Sequence, residues 1–71
     1  MAKFIAYVQE SPRSKTIYVP FTVDDSALVG LRKHERNELI MARAVEALKS
    51  APNVFGDWWE WLRSGYTEDE S

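Results

Sequence analysis

Seven consecutive residues, Arg32-Lys33-His34-Glu35-Arg36-Asn37-Glu38, carry no apolar side chain. In a helix this run covers about two turns. A core-facing stripe does not survive such a gap, because its apolar positions must recur every three or four residues. The run therefore divides the chain. One part of the core must come from the residues before it and the other from a helix that becomes amphipathic only after it.

Before the run the pattern is that of strands. In Lys15 to Val23, Ile17, Val19, Phe21 and Val23 fall on one face, and Thr16, Tyr18, Pro20 and Thr22 on the other, a period of two. In Lys3 to Gln9, Phe4, Ala6 and Val8 alternate with Ile5 and Tyr7, so apolar groups point both ways. That suits a strand with one face on a helix and the other partly covered by aromatics. Ser11-Pro12-Arg13-Ser14 is a turn cluster between them, and the two strands are expected to form an antiparallel hairpin. Pro20 has no ladder donor, so the second strand lies at an edge or its pairing ends there.

Asp24-Asp25-Ser26 offers capping side chains before Ala27 to Leu31, which is long enough for one or two helical turns weakened by Gly30. Beyond the polar run, Ile40, Met41, Ala44, Val45, Ala47 and Leu48 recur at helical spacing. They anchor the later half of a main helix whose first turns project into solvent, with Lys49 near its negative end and Pro52 beyond it. Asp57-Trp58-Trp59-Glu60 has the spacing of a capping box, which predicts a short helix to Arg63 or Ser64 stopped by Gly65. In that helix Trp58, Trp61 and Leu62 share an inward face and Trp59 points elsewhere. The expected fold is α+β, an antiparallel β-hairpin packed on one main helix with short flanking helices. It forms a single domain over 1–66, followed by an acidic disordered tail, 67–71.

A 71-residue chain buries only about 60% of the surface its unfolded form exposes. Small domains usually compensate with disulfides, metals or dense packing. Here there is no Cys and one His, so the three Trp, three Tyr and three Phe are the expected source of core area. Charge is unevenly placed: residues 1–50 carry eight Lys/Arg against six Asp/Glu, and residues 51–71 one Arg against five acids. No segment has the apolar run of a signal peptide or a membrane helix, and a cytoplasmic protein is expected.

The residues offer little for catalysis. His34 sits among charged neighbours with no nameable partners, Asp24 and Asp25 stand where capping acids belong, and Gly30, Gly56 and Gly65 are too far apart for a phosphate loop. The chain is read as a non-enzyme without cofactor, metal or small-molecule substrate. Arg32, Lys33, Arg36 and Arg43 raise nucleic-acid binding, but Glu35, Glu38 and Glu46 are interleaved, which favours a protein partner. Trp58-Trp59-Glu60-Trp61 cannot point all three indoles inward, since adjacent helical positions diverge by about 100°. Trp59 is thus the candidate exposed anchor, with Arg32, Lys33, Arg36 and Arg43 as the accompanying partner-binding residues.

Across its length, with Lys3-Phe4-Ile5-Ala6-Tyr7-Val8 and Tyr18-Val19-Pro20-Phe21 as strands and a helical remainder, the chain resembles the small RNA-polymerase-binding transcription regulators of Xanthomonas-infecting phages. The resemblance implies a host-takeover protein that binds the large catalytic subunits of bacterial RNA polymerase. It would inhibit initiation by hindering sigma-factor engagement and promote terminator read-through. It lies in length and order of elements, so no functional residue is carried over. Two other classes fit the same size and charge. One is an anti-defence protein that binds a nuclease or CRISPR complex, and the other is a small nucleic-acid-binding domain using the Arg32 to Arg43 face.

Overall fold

The computed structural model describes residues 1–52, 54 and 58–69, with the side chain of Trp58 left aside. β1 (Ala2–Gln9) and β2 (Ile17–Val23) form the expected antiparallel hairpin, in register from Ala2 opposite Val23 to Val8 opposite Ile17. The turn is held by the Ser14 N–H donating to the Ser11 carbonyl (3.0 Å), the two Ser hydroxyls bonding each other (2.8 Å), and Gln9 Nε2 donating to the Ser14 carbonyl (3.2 Å). β2 is an edge strand, and pairing continues through Pro20, which stands opposite Ile5. Lacking an N–H, Pro20 fits the ladder only in a non-hydrogen-bonded pair, with its nitrogen turned to the outer edge.

β1 is the central strand of three, in the order β2-β1-β3, because Arg63–Glu68 forms a third strand, β3, antiparallel to it. This corrects the expected C-terminal helix. A single 3-10 turn, Trp58–Glu60, replaces it, and the proposed Asp57 cap lies outside the described residues. Gly65 sits within β3 opposite Tyr7 and does not stop a helix. Thr67 and Glu68, assigned above to a tail, belong to the strand, and the Asp69 N–H donates to the Lys3 carbonyl (3.0 Å). The physical reason lies in β1. Phe4, Ala6 and Val8 are buried, and a buried strand must satisfy backbone donors and acceptors on both edges. A helix over 57–64 leaves one of those edges unpaired.

The short helix α1 (Asp25–Leu28) is one turn long. Its Asp24 side chain makes no capping bond. Instead the Ala27 N–H reaches the Asp24 carbonyl (3.0 Å) and Asp25 pairs with the N-terminal amine of Met1 (3.0 Å). Gly30 has φ +79°, a left-handed conformation that lets the chain turn into the main helix, so it lies outside the helix it was expected to weaken.

The main helix, α2 (Lys33–Ser50), buries Ile40, Ala44 and Leu48, the stripe that its later half predicts. It packs on one face of the sheet. There Ala6, Val8, Ala44, Leu48 and Trp61 form one buried cluster and Phe4, Val23 and Ile40 another, with Phe21 and Tyr66 packed against both. The first turns of α2 do not simply project into solvent. Arg36 lies over the Phe4 ring at 5.9 Å and reaches Glu68 of β3 (3.5 Å), and Asn37 accepts a hydrogen bond from Tyr66 Oη (2.9 Å). The polar run thus ties the helix to the strand that the sequence reading missed.

Candidate interaction surfaces

The four basic residues singled out on the main helix do not form one free stripe. Arg32 and Lys33 are exposed at its start. Arg36 is drawn inward against Phe4 and Glu68, and Arg43 is paired with Glu46 on the same helix (3.2 Å). Arg43 also lines a cavity of about 250 Å³ with Met1, Thr22, Val23, Asp24 and Ala27. Surface pairs of this kind contribute about 0–1 kcal/mol each. Their larger effect is to lower the net charge that this face offers an anion.

At the junction of the 3-10 turn and β3 the aromatic expectations divide. Trp61 is buried at 8% exposure, as expected, and Trp59 is exposed at 65%. Leu62, expected beside Trp61 in the core, is 53% exposed. The correction follows from the missing helix. Facing positions three and four apart exist only in a helix, and past Trp61 the chain is already turning into β3, with the Leu62 N–H donating to the Gln9 carbonyl (2.9 Å).

The sheet has a second face, turned away from α2. Cross-strand partners share a face, so Ile5 stands there between Pro20 and Thr67, and Tyr7 between Tyr18 and Gly65. Tyr18 is 67% exposed. A Cβ added at Gly65 would meet Tyr7 Oη at 2.5 Å and Cζ at 2.7 Å, so the Tyr7 ring lies across the glycine. Arg63, on the same face, stands over that ring at 5.9 Å from its centroid. Lys3 closes the other end, beside a shallow cavity of about 370 Å³ that it lines with Pro20, Thr22 and Asp69. The alternation in Lys15 to Val23 had already put Tyr18, Pro20 and Thr22 on this face. Arg63 and Gly65 could not be placed there without β3.

Among the described residues no group of three or more His, Cys, Asp or Glu is arranged to hold a metal ion. No helix among them is long and apolar enough to cross a membrane. His34 is exposed. Compared with protein-family models, curated proteins and solved structures, the chain matches none.

Proposed function

We propose that this chain acts by binding a protein, and that the partner is bacterial RNA polymerase, whose initiation it inhibits and whose termination it suppresses. The partner is taken from the resemblance described above. The observation that carries the binding reading is the pair of large apolar side chains left on the surface at one corner, Trp59 at 65% and Leu62 at 53% exposure, next to the exposed Arg63. Trp and Arg are enriched among residues that dominate interface energies. Leaving an indole and an isobutyl group three residues apart more than half exposed forgoes roughly half of the 1.5–3 kcal/mol that full burial of a large apolar side chain is worth. A partner that covers them recovers it. Arg32 and Lys33, exposed at the start of α2, lie at the far end of that helix from the Leu48 and Trp61 cluster and are a separate polar surface.

The test is transcription with purified Xanthomonas RNA polymerase on a template carrying a promoter and an intrinsic terminator. Added protein should reduce sigma-dependent initiation and raise read-through by complexes already elongating. Unchanged initiation and unchanged read-through at saturating protein would remove polymerase as the partner.

A further inference from the structure

We propose that the sheet face turned away from α2 is a stacking platform for single-stranded nucleic acid. Tyr18 and Tyr7 are the stacking groups, and Arg63 and Lys3 the contacts to phosphate. This surface adjoins the Trp59 corner at Arg63 and lies on the other side of the sheet from the helix face on which nucleic-acid binding was first considered.

Three observations converge on it. First, the two tyrosines are direct cross-strand partners. Because Pro20 forces a non-hydrogen-bonded pair with Ile5, alternation along the ladder makes Tyr7 and Tyr18 such a pair too, the kind with Cα atoms about 4.5 Å apart. Second, Tyr7 is laid across Gly65, the one residue type there that leaves room beneath it. A protein anchor projects into its partner's pocket, whereas the Tyr7 ring laid on the sheet with Arg63 over it builds a flat layer, the shape that matches a base. The guanidinium of Arg63, over the same ring, is a second planar group on which bases stack.

Third, charge complementarity selects an anion. No Asp or Glu occupies the face positions of the three strands, and the nearest carboxylate along β3 is Asp69, just past its end beside Lys3. In a chain of net charge -2 the strand positions of this face carry two basic residues and no acid, although Asp69 stands opposite Lys3, so Arg63 is the stronger attraction for an anion. Among the described residues no helix projects from this face to enter a duplex groove. Base stacking on aromatics tolerates any sequence and needs unpaired bases.

The test uses the full chain and a labelled oligothymidine of about ten nucleotides, within the site sizes of single-strand binding modules, followed by fluorescence anisotropy at low salt. Saturable binding is expected, with a duplex of the same length competing poorly. Tyr18→Ala, at an exposed position where the circular dichroism should stay unchanged, should weaken binding by about 5- to 150-fold, the span of one base stack. Arg63→Ala and Lys3→Ala should each flatten the logarithmic salt dependence by about 0.7. Trp59→Ala should leave binding unchanged, which keeps this result separate from the polymerase reading. The proposal is overturned by absence of saturable binding, by wild-type binding in folded Tyr18→Ala, or by a duplex that competes equally. It is also overturned if a polyglutamate peptide displaces the oligonucleotide as well as unlabelled oligothymidine does, which would give the face to an acidic protein.

Discussion

Replacing Gly65 by Ala puts a methyl group where the Tyr7 ring already lies. The new Cβ meets Oη at 2.5 Å, Cζ at 2.7 Å and Cε2 at 3.1 Å, so the ring must swing away. Forcing a methyl group into filled space costs about 1–3 kcal/mol. Displacing Tyr7 from Arg63 gives up a further cation–π contact of about 0.5–1 kcal/mol at an exposed site. Against this, Gly65 does not have a positive φ, so Ala is free of backbone strain and gains about 0.4–1 kcal/mol by restricting the unfolded chain. The net expectation is a loss of about 0.5–3.5 kcal/mol. With Tyr7→Val already in place the two costs vanish and the gain remains, so the same substitution should stabilise by about 0.4–1 kcal/mol. The assay is urea unfolding of the four proteins of this double-mutant cycle, followed by tryptophan fluorescence and circular dichroism. A reversal of sign between backgrounds is the predicted result. If Gly65→Ala destabilises equally whichever residue stands at position 7, Tyr7 does not lie over it, and a helix stop at Gly65 regains its standing.

Trp61→Ala should cost about 3–5 kcal/mol, enough to unfold most of a domain this small, whereas Trp59→Ala should stay within about 0.5 kcal/mol in the same melts. Arg36→Ala, which loses both the Phe4 contact and the Glu68 pair, should cost about 0.5–1.5 kcal/mol, with the ion-pair part fading as salt is raised. Pro20→Thr restores an outward N–H in the middle of the β2 edge. It should make the chain self-associate at concentrations where the parent is monomeric, read by light scattering and thioflavin fluorescence. A chelator should leave the thermal midpoint of the wild type unchanged, since no ligand cluster was found among the described residues.

The legible parts of this fold are those written in local periodicity. Ile17, Val19, Phe21 and Val23 alternate, and Ile40, Ala44 and Leu48 step by four, so the hairpin and the buried stripe of α2 follow from spacing alone. β3 is written differently. Arg63-Ser64-Gly65-Tyr66-Thr67-Glu68 has little apolar alternation, and it is a strand because β1 needs partners on both edges, a tertiary demand that no window of sequence carries. Everything dependent on β3 was hidden with it: the inward turn of Arg36 toward Glu68, the seat of Tyr7 on Gly65, and Arg63 on the open face. For the candidate site, Trp59 was legible because three indoles in four residues cannot all be buried. Leu62 was not, since placing it required knowing that the helix ends early.

Direct titration of the chain with purified Xanthomonas RNA polymerase core tests the proposed function most closely. The account predicts saturable binding that folded Trp59→Ala weakens by about 30-fold or more, the fold-change equivalent of an interface anchor worth 2 kcal/mol. Absence of saturable binding, or unaltered binding by folded Trp59→Ala, would contradict it.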